Sequence, residues 1–244
     1  MSISCVAKIL IKVHSWQRRD KSSMRNNSYQ FILRRLATIL SVAIITLTVM
    51  AAISGVLLSF YYEPIAGGAY DSLKNITTEV SNGWLIQKVH DITGNWLIGI
   101  ALIQIVVMFL GRQFSSSWLT AWISGIFLTL SAIGLGWTAM ILDWDQLGYW
   151  RLSIELGTIE AIPFIGTQLR DIITGGGAIT TVTVEHLYTI HSYIISVGAL
   201  ILAVMHLWSL LRQEKEMYGS QAAMPSVASE VKQDQPETEL MRAP

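Results

Sequence analysis

Four long stretches of this 244-residue sequence contain no Asp, Glu, Lys or Arg. Each has at least about 20 residues, the length that an α-helix needs to cross the hydrocarbon core of a bilayer. Helices satisfy their backbone hydrogen bonds internally, so they are the structure expected of apolar segments in lipid. We therefore predict an all-α membrane protein built as a four-transmembrane-helix bundle. The predicted spans are residues 36–62, 92–111, 113–142 and 187–211.

The composition agrees with a membrane protein and excludes several other classes. Hydrophobic residues make up 52% of the chain and charged residues 14%, whereas soluble domains carry about 25% charged residues. Lys and Arg (17) balance Asp and Glu (17), so the chain lacks the surplus of basic residues that would indicate a nucleic-acid partner. The only cysteine is Cys5, which excludes an intrachain disulfide and a cysteine-ligated zinc or iron–sulfur site. A bound group must therefore be held by histidines or carboxylates.

The distribution of charge divides the chain into three regions. Residues 1–35 carry eight bases and one acid, and this N-terminal arm is either an amphipathic helix on the inner membrane surface or a disordered basic arm. Residues 36–212 contain the four spans. Residues 213–244 are polar and contain Pro, Ser and Glu, so we expect this tail to be disordered.

The bases also predict an orientation. The arm, Arg112 in the short second loop, and Arg212 and Lys215 after the fourth span fall on one side of the bundle. Loops on the inner side of a membrane carry the excess of Lys and Arg. Both termini are therefore expected on the cytoplasmic side or its equivalent.

Three histidines and one glutamine recur at two depths of the predicted bundle. His191 and His206 are fifteen residues apart in the fourth span, about 60° apart around the helix and about 22 Å apart along it. His90 and Gln104 are fourteen residues apart at the second span, about 40° and about 21 Å apart. Because the two helices run antiparallel, one level pairs His90 with His191 and the other pairs Gln104 with His206. Paired imidazoles inside a four-helix bundle are one way to hold a haem iron.

A simpler interpretation of any single histidine stays open at this point. A polar side chain in a membrane helix can hydrogen-bond to a neighbouring helix without binding a cofactor. Two matched levels favour ligands over isolated bonds. Zinc fits poorly, because each level offers two ligands and catalytic zinc usually has three. His14 in the arm is assigned no role. His186 is also assigned none; it lies at the predicted boundary between membrane and water on the side opposite the termini, which is called the outer side below.

Small residues recur on the other two spans. Gly125 and Gly136 in the third span are eleven residues apart and therefore about 20° out of phase. Gly55 and Ser41 in the first span are fourteen residues apart. Small residues at these depths would leave room for flat macrocycles. Taken alone, they indicate close packing of helices rather than room for a macrocycle.

Several dispersed motifs make the chain resemble the N-terminal half of cytochrome b. The resemblance is strongest to the four-helix cytochrome b subunit of the chloroplast and cyanobacterial cytochrome bf complex, and it covers residues 29–212. It implies a haem-binding four-helix bundle. The motifs are FYYEP, TEVSNGWLIQKVH, WDQLGYW, EAIPFIGTQL, LYTIHSY and VMHLW.

The resemblance implies two levels at which b-type haem lies between the second and fourth helices. His90 and His191 would bind the outer haem from opposite sides. Gly55 and Gly136 would make room for its ring, and Lys88 lies close by in the sequence. The outer level thus has every ligand that the family uses there.

At the inner level the resemblance is incomplete. His206 keeps its place, but Gln104 stands where the family has the second histidine. Ser41 and Gly125 leave room there, so two states stay open: a five-coordinate haem on His206, or an empty level in which Gln104 bonds to His206 or to water. The resemblance to the bf-type proteins implies an additional haem bound covalently to a cysteine near the start of the first helix, but Ile39 occupies that position, so no covalent haem is expected.

Three hypotheses for the function follow from the resemblance. The first is a b-type haem electron-transfer subunit of a quinol-linked bc- or bf-like complex, which is not a complete quinol oxidase alone. The second is a structural or assembly subunit, and the third is a sensor with a five-coordinate inner haem. The implied partners are the second half of cytochrome b, an iron–sulfur protein or cytochrome c, quinone, lipid and a second copy of the chain. The implied location is a plasma or thylakoid membrane, with both termini on the cytoplasmic or stromal side.

Overall fold

The computed structural model describes residues 3–111 and 118–222, with side chains for residues 29–111 and 118–216. Within these residues the chain forms eight α-helices and one π-helical segment, and no strand. The helices are α1 (Ile3–Ser59), α2 (Ala69–Thr78), α3 (Gly83–Leu110), α4 (Leu119–Leu142), α5 (Gln146–Glu160), α6 (Gly166–Thr174), α7 (Thr181–Thr189) and α8 (Ser196–Ala222), with the π segment (Ile190–Ile195) between α7 and α8.

Four helical stretches are long and apolar enough to cross a membrane. They are Tyr29–Ser59 within α1, Gly83–Leu110, Leu119–Leu142, and Thr181–Glu216, which joins α7, the π segment and α8. The predicted all-α fold with four transmembrane helices is therefore confirmed. Large apolar side chains such as Ile53 (60% exposed) point away from the bundle, as expected where lipid is the surrounding solvent.

The helices extend beyond the charge-free stretches from which the spans were predicted. α3 begins at Gly83 rather than at residue 92, because Lys88 and Asp91 lie in its outer turns, where charged side chains can reach water. The last span likewise continues past Arg212 to Glu216. Charge therefore marks the membrane boundary and not the end of a helix. The predicted start of the third span, residue 113, lies outside the described residues, and α4 begins at Leu119.

The helical backbone of α1 passes through residue 35 without interruption. The helical interpretation of the arm agrees with this backbone, whereas its contact with the membrane stays a prediction. At the other end, α8 continues to Ala222, so the first residues of the tail predicted to be disordered are helical. Residues 223–244 lie outside the described part of the chain, and the two domain boundaries stay predictions.

α1 and α4 separate the two helices that carry the histidines. Each of them packs against both α3 and α8, so α3 and α8 face each other across the bundle. Small residues bring the four helices close together in the middle of the core, where Ala101, Ala132, Ala199 and Ala203 are buried with larger aliphatic residues. This arrangement directs one face of α3 and one face of α8 towards the bundle interior.

Short helices in the loops cover the outer end of the bundle. α2 lies between α1 and α3, and α5 and α6 lie between α4 and α7. The Tyr62 hydroxyl donates a hydrogen bond to the Leu142 carbonyl (2.8 Å), and the Trp144 indole N–H donates to the Ala66 carbonyl (2.8 Å). These bonds tie the chain after α1 to the end of α4, close to the outer level of histidines.

Candidate functional site

His90 and His191 meet at the outer level of the bundle. His90 lies on α3 and His191 lies in the π segment, and their ring centres are 6.3 Å apart with planes inclined by 60°. Both residues are partly buried. Neither Nε2 atom has a hydrogen-bond partner among the described residues. The sequence-predicted outer pair is therefore brought together, with one ring nitrogen of each imidazole left for a ligand.

The other nitrogen of His90 is held by α1. Its Nδ1 lies 3.0 Å from the Ala51 carbonyl oxygen and 3.2 Å from Ser54 Oγ. A carbonyl can only accept, so we assign the proton to Nδ1, which leaves a lone pair on Nε2. Gly55 leaves room for the ring, because a Cβ there would lie 3.0 Å from His90 Cε1. We call the alanine carbonyl, the serine hydroxyl and the glycine around the ring its cradle. The bonds orient the ring as a ligand requires.

His191 is held in the same way by α4. Its Nδ1 lies 2.7 Å from Thr138 Oγ1. The Thr138 hydroxyl directs its own proton at the backbone carbonyl of Gly134 (2.9 Å) or Leu135 (3.0 Å), so its oxygen accepts from Nδ1. The Nε2 atom of His191 therefore also carries a lone pair. Thr138 could not be identified from the sequence, because nothing in its position distinguishes it from other threonines that bond their own helix.

The π segment brings the spacing of His191 and His206 into register with that of His90 and Gln104. A π-helical turn uses i→i+5 hydrogen bonds and takes up one residue more than an α-helical turn. The fifteen residues from His191 to His206 therefore act as fourteen residues of α-helix, the spacing between His90 and Gln104. Such segments often occur at functional sites.

Gln104 and His206 meet at the inner level and are almost completely buried, with exposures of 1% and 0%. The Gln104 amide nitrogen donates to His206 Nε2 (2.9 Å) and to the Ala37 carbonyl (3.0 Å). His206 Nδ1 lies 3.0 Å from the Ala121 carbonyl oxygen and 3.2 Å from Ser124 Oγ. The inner pair is thus directly hydrogen-bonded, unlike the outer pair.

One short pattern builds the cradles of both His90 and His206. Residues 51–55 read AAISG and residues 121–125 read AWISG. In each copy the alanine carbonyl and the serine hydroxyl contact histidine Nδ1. In each copy the glycine leaves room for histidine Cε1, which a Cβ would approach to 3.0 Å at Gly55 and 2.9 Å at Gly125. This repeat can be seen in the sequence, whereas only its two glycines were predicted to belong to the site.

The remaining sequence-predicted site residues lie farther from the imidazoles or lack a bond to them. A Cβ at Gly136 would meet Ile98 Cδ1 at 2.6 Å, so this glycine makes room for an isoleucine in this structure. Ser41 is buried, and its hydroxyl has no hydrogen-bond partner among the described residues. Lys88 is exposed and interacts electrostatically with Asp91.

Acidic residues surround the outer end of the site. Asp91 follows His90, while Asp143 ends α4 and Asp145 caps α5. Desolvation raises the pKa of the Asp143 carboxyl to about 6, and the negative charges of Asp91 and Asp145 add to this shift. Burial, followed by the charge of Asp143, also raises the pKa of Tyr62. The outer end therefore favours positive charge or protonation.

The outer level fits a haem iron bound from both sides. A metal–imidazole bond is about 2 Å long and the ring centre lies about 1 Å farther, so two such ligands have ring centres about 6 Å apart. The distance of 6.3 Å between the His90 and His191 ring centres agrees with this value. No group of three His, Cys, Asp or Glu residues within the described part of the chain could hold a metal ion by itself.

Comparison with known proteins places this arrangement in a family. The family described as "Cytochrome b/b6/petB" matches residues 29–214. Cytochrome b6 of Mastigocladus laminosus is 30% identical over 160 residues, which are 66% of this chain and 74% of that protein. Cytochrome b6 of Auxenochlorella protothecoides is 28% identical over 160 residues, with the same coverage of 66% and 74%.

A solved structure shares the fold. A chain of a hyperthermophilic respiratory complex III superposes with a TM-score of 0.63 at 23% identity and covers 71% of this chain, which spans only 47% of that chain's length. The family match includes both histidine levels, the first three spans and the fourth span up to residue 214. The chain therefore belongs to the cytochrome b family, related to cytochrome b6, whose members are integral membrane electron-transfer proteins that hold b-type haem without a covalent bond.

Proposed function

We propose that the chain is an electron-transfer subunit that holds a b-type haem between His90 and His191, at the outer level of the bundle. When bound, the haem supplies a reversible one-electron exchange between ferric and ferrous iron. The observation that carries the proposal is the pair of imidazoles whose ring centres are 6.3 Å apart and whose Nε2 atoms have no hydrogen-bond partner among the described residues.

The residues around the two imidazoles prepare them as ligands. The Ala51 carbonyl fixes the proton of His90 on Nδ1, and Thr138 does the same for His191. Each ring therefore presents a neutral Nε2 without rearrangement. Gly55 allows α1 to approach the edge of the His90 ring.

The negative charges at the outer end would lower the reduction potential of a haem bound there. Asp91, Asp143 and Asp145 lie at or beyond the outer level, and negative charge near an iron stabilises the ferric form. A low reduction potential is therefore expected. The family's basic residues next to the outer ligand are absent, because Gln87 and Asp91 occupy those positions.

The partners would supply the rest of a quinol-linked redox complex. The chain spans about half (47%) of the complex III chain to which it is similar. We propose that it works beside a second cytochrome b half and an iron–sulfur protein or cytochrome c in a bc- or bf-like complex, with its termini on the cytoplasmic or stromal side. Quinone would bind where these subunits meet, so this chain alone is not a complete quinol oxidase.

Haem content and optical spectra test the proposal. The purified protein should contain b-type haem by pyridine haemochrome, with a low-spin spectrum that is lost in His191→Ala. His186→Ala is the matched control, because His186 is an exposed histidine on the neighbouring α7 and its loss should leave the spectrum unchanged. Folded wild-type protein without haem would overturn the proposal and favour a structural or assembly role.

A further inference from the structure

The inner level has kept one half of a haem site and changed the other. We infer that Gln104 closes this level to haem by hydrogen bonding directly to His206, so that the chain carries one haem and has a redox site at the outer depth only. This inference rests on the proposed function, because it concerns how many of the two levels are used.

The half of the site around His206 is intact. The AWISG segment of α4 holds this imidazole as the AAISG segment of α1 holds His90. The distances from Nδ1 to the alanine carbonyl (3.0 Å in both) and to the serine hydroxyl (3.2 Å in both) are the same. His206 is therefore oriented as a ligand, and what distinguishes the two levels is the residue opposite the imidazole.

The opposite residue fills the place where an iron would lie. Two axial ligand atoms of one iron are about 4 Å apart, since each bond is about 2 Å long. Gln104 Nε2 and His206 Nε2 are 2.9 Å apart, which is a hydrogen bond and leaves no space between the atoms. The amide also donates to Ala37 on α1, so Gln104 joins α1, α3 and α8 through one side chain.

The difference in burial between the two levels also opposes haem binding at the inner level. His90 and His191 are partly exposed, whereas Gln104 is 1% and His206 is 0% exposed. Both nitrogens of His206 already have partners, so inserting a macrocycle would break a buried hydrogen bond and strand its donor. Leaving a buried polar group unpaired is costly, and this cost opposes haem binding at the inner level.

Two buried oxygen atoms at this level have no hydrogen-bond partner in the part of the chain that the structure describes. They are Gln104 Oε1 and Ser41 Oγ, and Ser41 follows Ala37 by one turn of α1. Buried polar atoms of this kind are commonly satisfied by an ordered water molecule. A water molecule would do so without opening the bond between Gln104 and His206, whereas a haem could not.

The test is the ratio of haem to polypeptide in three proteins. Wild type should contain one haem, and Gln104→His should contain two, because the new imidazole meets an already oriented His206. Gln104→Leu is the matched comparison: it removes the hydrogen bond but adds no ligand, so haem that it gains at this level can be held by His206 alone and should be high-spin, whereas a second low-spin haem should appear only in Gln104→His. The second haem of Gln104→His should add a second low-spin component to the optical spectrum and a second step to the redox titration.

Other results would overturn the inference. Two haems in wild type, or a high-spin ferrous component that binds carbon monoxide, would show that Gln104 does not close the inner level. A folded Gln104→His with one haem would show that another feature closes it. The wild-type ratio is decisive even if the variant does not fold, and a haem-free wild type would instead overturn the proposed function.

Discussion

At the scale of single residues, each histidine is oriented by a group on a neighbouring helix. Thr138 accepts from His191 Nδ1 at 2.7 Å while its own proton is directed at the backbone of α4, and the Leu135 carbonyl is a second acceptor for the same imidazole. The cradles of His90 and His206 instead combine a carbonyl with a serine. A change at Thr138 should therefore have the clearest effect on one ligand.

We predict that Thr138→Val lowers the affinity for haem by about 10–100-fold, the usual effect of removing a group that orients a metal ligand. Valine has a similar shape but removes the hydroxyl that accepts from Nδ1 of His191 (2.7 Å), which leaves only the Leu135 carbonyl as an acceptor. Haem titration of the apoprotein measures the effect. Thr129→Val is the control, because Thr129 bonds the Gly125 carbonyl of the same helix (2.8 Å) and no histidine. Equal affinities in the two variants would contradict the role of Thr138.

Asp143 should make the free energy of unfolding depend on pH. Its pKa of about 6 in the folded chain lies above the ordinary value of 3.8, so the folded state binds the proton more tightly than the unfolded state does. The free energy of unfolding should therefore rise as the pH falls from about 6 to about 4. Because Asp143 is exposed, water screens its charge and the gain should stay below about 1 kcal/mol.

Asp143→Asn should remove this gain, which unfolding in detergent at a series of pH values would measure as a difference from wild type. Asp71→Asn is the control, since Asp71 is an exposed acid on α2 and its removal should leave the gain in place. An identical pH dependence in wild type and Asp143→Asn would contradict the shift.

At the scale of helices, periodicity and charge predicted most of the architecture and missed local departures from it. The four spans follow from the absence of charge over at least about 20 residues. The ends of α3 and of the last span were misplaced, because Lys88, Asp91 and Arg212 lie inside helices at the membrane boundary. α2 lies outside the four predicted spans, because its ten residues include polar and charged side chains.

The candidate site was predictable in its residues but not in its geometry. Counting residues identified the two levels, since a helix repeats every 3.6 residues. The same counting could not show the π segment, because IHSYII carries no signal that distinguishes it from α-helix. Nor could it show that Gln104 bonds His206 rather than water, because that depends on how closely α3 and α8 approach.

The π segment yields a prediction for the whole of the last span. Deleting Ile194, an exposed residue within it (63% exposed), should turn the π segment into regular α-helix and leave fourteen residues between the two histidines, the spacing that the π segment already reproduces. His191 should therefore keep its orientation, and the low-spin haem spectrum should be kept. Inserting one alanine after Ile194 adds a residue that the π turn does not absorb, so it should rotate His191 by about 100° relative to His206 and abolish the spectrum. Loss of the spectrum in the deletion variant would contradict this role of the π segment.

At the scale of the whole molecule, the two ends of the bundle differ in their charge and in the groups that they carry. The outer end carries the histidine pair, the acids and the short helices, while the inner end is expected to carry the basic arm. The single cysteine tests this orientation, because Cys5 belongs to the arm. In intact cells, a membrane-impermeant maleimide should label Cys5 only after permeabilisation.

A matched variant gives the opposite expectation for the other end. In a Cys5→Ser background, Leu147→Cys on α5 (69% exposed) should be labelled without permeabilisation. Labelling of Cys5 in intact cells together with protection of the cysteine at position 147 would reverse the proposed orientation.

The central claim is that His90 and His191 hold the haem of this protein between them. Low-temperature EPR spectroscopy of the oxidised wild-type protein tests it most directly, because the spectrum reports the spin state of ferric iron and hence its axial ligands. We expect one low-spin signal that accounts for all the haem iron and disappears in both His90→Ala and His191→Ala. A high-spin signal in wild type, or a low-spin signal that survives either substitution, would contradict it.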